Sequence, residues 1–503
     1  MTVPTLAAPR RSVAGRALLA VALLLGFYVL GLLIVAALLG LTGVMVANGR
    51  IGGFMFTAVA VSVAILRGLF WFERRSVADE VVGIEVTDAQ EPRLWSEVRR
   101  VAQELGTDPP AHLYLVPDVN AFVFQRSKLL GAIPGERVMG IGIPLLEVLS
   151  PEELTGVLAH EYGHYTGGDT RLGPLVYRGR AAIGRTIQHL GSDSMLAGVF
   201  RAYGKLYLRV SQSVSRRQEL AADANAARLV GAPAHSSALK KVHVAAPVFD
   251  TFVERYVGPL WENGRRPKSL YEGFRTFHDH PDHASDLAEG VAEMAKEEGS
   301  AYDSHPPLGV RLAALGDVTP GIEQAEERAT SLLADPAGTD DRMSALLSRL
   351  AAKNGSLVPI EWDDDAAEAI YAPAVKEHSD ALRDAVGRVL GREPRVADAL
   401  ALVEEGRVME LAHAMAPDLG QVPDEQRESI ARALVARGIG STVSWALTTQ
   451  HGWRWALRWS GPADLVSPKG RPWDYRKAVA DAVADPKKVA PLRRRLRTAG
   501  IPA

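Results

Sequence analysis

The chain has 503 residues, near-balanced charge (57 Lys and Arg against 59 Asp and Glu) and no cysteine. The missing cysteine excludes disulfides and thiolate metal sites, so any bound metal is held by His, Asp or Glu. The balanced charge gives no general electrostatic argument for a nucleic-acid partner, and the length suffices for about three domains.

The N-terminal region is the most apolar. Residues 17–41 carry no charge, and about 20 apolar residues cross a hydrocarbon core as a helix. A second apolar stretch, residues 51–72, is interrupted by Arg67 near its end, where a long side chain snorkels to the headgroups. Asn48-Gly49 between the stretches signals a turn. The pattern predicts a transmembrane helical hairpin. Arg10, Arg11 and Arg16 precede it, Arg74 and Arg75 follow it, and only Arg50 lies between. The positive-inside rule then places both ends, and the domain that follows, in the cytoplasm. A secretory signal peptide is the competing reading, but its apolar core would be too long and the second stretch would be unexplained.

Downstream, residues 81–86 read as a strand, and Asp88 as the cap of a helix over 90–105 with Leu94, Val98, Val101 and Leu105 on one face. Strands are predicted at 112–116, 120–124 and 137–143. Ser150, Pro151 and Glu153 form a helix start with a capping box, and Gly167-Gly168 a helix stop. Residues 172–211 read as helical, arginine-rich and outside the membrane. A helix over 215–230 stops at Gly231-Ala232-Pro233, and a polar region runs on to about residue 303. Beyond residue 320 the chain turns to alanine-rich amphipathic stretches. Near its end, Trp453, Trp455, Leu457 and Trp459 alternate with Arg454, Ala456 and Arg458, a strand periodicity that predicts a hairpin.

The chemistry is concentrated at His160-Glu161-Tyr162-Gly163-His164. On a helix, residues four apart share a face, so His160 and His164 can hold one Zn²⁺, while Glu161 beside the first ligand serves as general base toward an attacking water. A catalytic zinc takes three protein ligands and an open position. Asp169 and Glu219 are the two candidates for the third, and spacing favours Glu219 only slightly. Asp223, one helical turn beyond Glu219, is placed to accept the N–H of a ligand histidine.

Together these residues resemble the HtpX and CAAX prenyl protease group of gluzincin metallopeptidases. The shared pieces are Asn-Ala-Phe at 120–122, Leu-Ser-Pro-Glu-Glu-Leu at 149–154, His-Glu-Tyr-Gly-His at 160–164, Ser-Arg-Arg-Gln-Glu-Leu-Ala-Ala-Asp at 215–223 and His-Pro-Pro-Leu-Gly-Val-Arg at 305–311. The resemblance covers about residues 81–315. It implies Glu219 as third zinc ligand, Asp223 as its support, and endopeptidase activity on extended peptides. It also implies an edge strand at Asn120, Ala121 and Phe122 on which substrate adds a strand. His305 and Arg311 would lie near the cleft, either one stabilising the oxyanion, or His305 reaching the metal. Two departures stand out: the group carries more membrane-spanning segments, and the region from about residue 320 to 503 is not explained by the resemblance.

The fold expected is therefore α+β and mainly helical. Residues 1–75 form the transmembrane hairpin, 76–320 a zincin-type metallopeptidase domain with a small sheet and one zinc ion, and 321–503 an accessory domain. The expected partners are a polypeptide substrate and the lipid bilayer. A catalytically silent, membrane-anchored scaffold or chaperone-like peptide binder on the same fold is the alternative. Three features are set aside as bland: the His278–His283 cluster as a solvated loop, the Trp stripe as a core face, and Arg493, Arg494, Arg495 and Arg497 as a solvated helix end.

Overall fold

A computed structural model describes residues 10–49, 53–70, 81–128, 133–166, 173–190, 194–297, 306–317, 319, 321, 324–352, 357–394 and 396–503. The chain divides into two compact units, Met1–Pro247 with Ala284–Pro336 and Val248–His283 with Ala337–Ala503.

The first unit begins with α1 (Arg10–Ala47) and α2 (Gly53–Phe70). One helical stretch among the described residues, Val21–Ala47, is long and apolar enough to cross a membrane. The apolar part of α2, Met55–Leu69, is shorter, so a second full span is not established. The flanking residues 71–75 lie outside the described residues.

A four-stranded mixed sheet follows, from β1 (Ile84–Val86), β2 (His112–Val116), β3 (Ala121–Lys128) and β4 (Ile133–Gly142), in the order β1-β2-β4-β3. β2 and β4 run parallel, and the two outer strands pair antiparallel. Between β1 and β2 lies α3 (Pro92–Glu104). It starts later than the sequence suggested because Pro92 takes the first turn. Asp88 pairs instead with Arg99 at 2.9 Å. Side chains alternate across the sheet: Leu113, Leu115, Met139 and Ile141 are fully buried. Tyr114, Val116 and Val138 gather Phe122 and Phe124 on the opposite parity. The Phe122 ring lies over Gly140, where a Cβ would come within 2.3 Å of it. A side chain at 140 would push that ring aside.

β4 runs straight into a short helix not predicted from the sequence, α4 (Ile143–Val148), which begins where the expected strand ends. Next come α5 (Pro151–Thr166), α6 (Gly173–Leu190), α7 (Met195–Val230) and α8 (Ala232–Phe252). The helix expected over 215–230 is the second half of α7, which runs unbroken for 36 residues. Phe200 and Tyr207 of α7, with Ala182 and Ile183 of α6, bury against Leu24, Phe27 and Val35 of α1 and Ile65 and Leu69 of α2. The same long helix thus reaches from the apolar N-terminal pair to the motif helix.

In the second unit, the helix Asp424–Gln450 anchors a large core with the helix Asp364–Leu390 and the pair Arg454–Ala456 and Asp464–Val466. Trp455 is 2 % exposed in this core. The expected hairpin is present but short. His278 is not in a solvated loop: it is buried at the end of the helix Leu270–His278, and His283 Nε2 lies 2.8 Å from the Trp459 carbonyl oxygen. Arg493 pairs with Glu404 at 3.0 Å.

Asp340 is a buried carboxylate that caps the helix Leu270–His278, accepting the backbone N–H groups of Tyr271 and Glu272 at 2.9 and 3.0 Å. Burial outweighs these bonds and pushes its pKa up to about 7. A folded-state pKa above the unfolded value gives stability that is full below about pH 4 and lost as pH rises through about 7. Asp340→Asn, whose amide oxygen still accepts both bonds, is expected to stabilise this unit at pH 8 and change little at pH 4.5. Tryptophan-monitored unfolding at the two pH values reads the effect, because Trp261, Trp362, Trp445, Trp453, Trp455, Trp459 and Trp473 all lie in this unit. Equal shifts at both pH values would remove the protonation argument.

Candidate active site

The site is built where α5 crosses α7. The start of α5 is fixed by a reciprocal cap: Glu153 N–H donates to Ser150 Oγ at 3.1 Å, and Ser150 N–H donates to Glu153 Oε2 at 2.7 Å. Lys241 of α8 reaches the same carboxylate at 2.8 Å and Ser237 Oγ donates to it at 2.6 Å, which fastens α8 to the head of α5. Nearly three turns on, Gly163 lies against Ala222 of α7; a Cβ at 163 would come within 3.0 Å of the Ala222 Cα and Cβ. The small pair lets the two helices approach closely enough for their polar side chains to meet.

What meets there is a cluster of nitrogen and oxygen donors. His160 Nε2 lies 3.4 Å from Glu219 Oε2, and His164 Nε2 lies 3.6 Å from Glu219 Oε1. The two imidazoles stand edge to face with centroids 5.0 Å apart. One ligand atom from each of His160, His164 and Glu219 falls within 4.8 Å of the others. Two imidazole nitrogens and a carboxylate are the donor set of a catalytic zinc, and their buried, convergent placement fits such an ion. His164 keeps 29 % side-chain exposure against 9 % for His160 and 7 % for Glu219, so the site opens on the His164 side. Glu161, adjacent to His160, is half-buried.

Behind the cluster, Asp223 Oδ1 lies 2.9 Å from His160 Nδ1, so the Nε2 side of that ring is the one turned to Glu219. Arg311 donates to Asp223 through Nε at 2.8 Å and through one terminal nitrogen at 2.7 Å. Burial opposes the Asp223 charge, but hydrogen bonds from Arg311, His160 and His235 outweigh it and hold the carboxyl far below the usual carboxylate range. Burial likewise opposes a charge on His160, and the Asp223 and Glu219 carboxylates overcome it, raising its pKa to about 9. The field at the ring therefore favours positive charge, whether proton or metal.

The model of "Peptidase family M48" matches residues 88–319. The "Protease HtpX homolog" of Acidiphilium cryptum is 32 % identical over 212 residues, 38 % of this chain and 71 % of that protein. The chain belongs to peptidase family M48. Proteins of the same description from Persephonella marina (28 % over 290 residues, 52 % of this chain and 96 % of the relative) and Thermodesulfovibrio yellowstonii (28 % over 221 residues, 39 % and 74 %) match as well. No solved structure matches. The M48 membership and the cluster together make the chain a metallopeptidase.

In this M48 peptidase the remaining sequence candidates fall in different places. Arg311 is buried behind His160, with two guanidinium nitrogens engaged on Asp223, which is the position of a support for Asp223. Asn120 is exposed, and Ala121 and Phe122 are half-buried on β3, one of the two edge strands of the sheet. Asp169 and His305 lie outside the described residues. One member of the cluster had no signal in the sequence: His235, at the start of α8, whose Nε2 lies 3.0 Å from Asp223 Oδ1. Burial lowers its pKa despite that carboxylate.

Proposed function

We propose that this chain is a membrane-anchored, zinc-dependent endopeptidase that cleaves membrane-associated or misfolded polypeptides at the cytoplasmic face. The observation that carries the reading is the convergence of His160, His164 and Glu219 with Glu161 alongside. His160 through Nε2, His164 through Nε2 and the Glu219 carboxylate would hold the ion. Zinc bound there supplies Lewis-acid polarisation and brings the pKa of water down to about 7.

The rest is the work of the chain's own side chains. Glu161 accepts a proton from the attacking water at its carboxylate and returns it to the nitrogen of the departing amine. Asp223 keeps the His160 ring in the orientation that presents Nε2. Arg311 keeps Asp223 ionised and aligned, so it is assigned to positioning rather than to contact with substrate. Peptide would add as a further strand along β3 through Asn120, Ala121 and Phe122, with backbone hydrogen bonds tolerant of sequence.

The anchor in this reading is α1, with α2 completing a hairpin and Arg10, Arg11 and Arg16 keeping the N-terminus cytoplasmic. Residues 76–320 form the peptidase domain and 321–503 an accessory domain. The test is incubation of the purified, detergent-solubilised chain with unfolded casein. Cleavage that stops with a chelator and returns with zinc is expected. Stable binding of casein without cleavage, in zinc-loaded protein, would favour a scaffold instead.

A further inference from the structure

His235 has no part in the chemistry proposed above, yet it is fully buried against the centre. Its Nε2 lies 3.0 Å from Asp223 Oδ1. That same oxygen lies 2.9 Å from His160 Nδ1 and 2.7 Å from a terminal nitrogen of Arg311. An ionised carboxylate only accepts hydrogen bonds, so each of these three neighbours donates. His235 therefore carries its proton on Nε2. Its Nδ1 is buried with no hydrogen-bond partner, and it faces α5 at Gly156, where a Cβ would come within 3.2 Å of it. A second proton there would be a buried donor without an acceptor. The neutral Nε2–H tautomer is the one the surroundings accept.

His235 belongs to a second group of close donors, His160, Asp223 and His235, but this group does not suit a metal. The Arg311 cation already sits on the shared carboxylate, and His160 Nδ1 acts there as donor. The arrangement is instead a brace. One carboxylate oxygen ties α5 through His160, α7 through Asp223, α8 through His235 and the helix Leu308–Leu315 through Arg311. The His235 ring also lies nearly parallel to that of His160, at 25° with centroids 6.0 Å apart. It backs the ring whose rotation would turn Nε2 away from Glu219.

We propose that His235 is a positioning residue of the metal centre, donating to Asp223 and backing the His160 ring so that His160 Nε2 stays directed at the site shared with His164 and Glu219. This rests on the metal-site reading given above. It also explains Gly156, whose lack of a side chain makes room for the imidazole.

The experiment measures zinc affinity of the full chain by competition with a chromophoric chelator, together with the visible spectrum of the cobalt-loaded protein and melting of the metal-free form. His235→Leu removes the donor and is expected to weaken zinc binding about 10–100-fold and to shift the cobalt bands. His235→Gln places an amide N–H near the same point and is expected to restore most of the affinity. Gly156→Ala removes no polar group but crowds the His235 ring at Nδ1, and is expected to weaken binding in the same direction. If the leucine variant fails to fold, the glutamine and alanine variants carry the test. Wild-type zinc affinity and cobalt spectrum in the leucine variant, or in Gly156→Ala, would overturn the proposal. A wild-type chain that takes up no zinc would overturn the metal-site reading itself.

Discussion

Glu161→Gln is expected to lower kcat/KM for proteolysis about 10²–10⁴-fold while leaving bound metal at the wild-type level. The carboxylate is half-buried beside His160 and lies outside the donor triplet of His160, His164 and Glu219. The amide has the same shape but cannot accept the proton that the attacking water must lose. Casein or fluorogenic-peptide kinetics, paired with metal analysis of the same preparation, read both halves. An unchanged rate would remove Glu161 as the base, and loss of metal would make it a ligand.

The second large effect falls on stability. Arg311→Met is expected to destabilise the first unit by about 3–5 kcal/mol, the usual consequence of removing one member of a buried ion pair. Asp223 and Arg311 keep only 1 % and 6 % side-chain exposure, so solvent cannot replace the lost partner. Methionine retains much of the volume, which separates the charge from a packing defect. Denaturant unfolding of the metal-free chain checks it. A change below about 1 kcal/mol, typical of an exposed pair, would mean that Asp223 is satisfied without the guanidinium.

How much of this could be read in the residues follows from how local each signal is. The motif helix was legible because its cap, its apolar flank and the four-residue histidine spacing lie within one short stretch. Glu219 and Asp223 repeat that spacing, but the choice of Glu219 over Asp169 needed the family resemblance, since neither periodicity nor propensity says which helix crosses α5. The structure supplies the physical reason: Gly163 and Ala222 let α7 pack tightly at that point.

His235 was illegible because its partners are brought to it by the turn at Gly231, which has φ +84° and sets the start of α8 beside Asp223 and Gly156. A lone histidine after Gly-Ala-Pro-Ala carries no pattern of its own. Both parts of α7 read as helical, and what the sequence hid was their join across residues 212–214, where no apolar periodicity links them. The buried His278 was mistaken for solvated because Pro281 and the neighbouring acids set the local character, whereas burial comes from aromatic packing within its unit.

Whether Glu219 completes a metal site with His160 and His164 is tested by zinc per chain in wild type and in Glu219→Ala, by elemental analysis after dialysis against a weak chelator. About one zinc is expected in the wild type and nearly none in the variant, with proteolysis lost in parallel. A Glu219→Ala chain that keeps wild-type zinc and cleaves casein at the wild-type rate would contradict it.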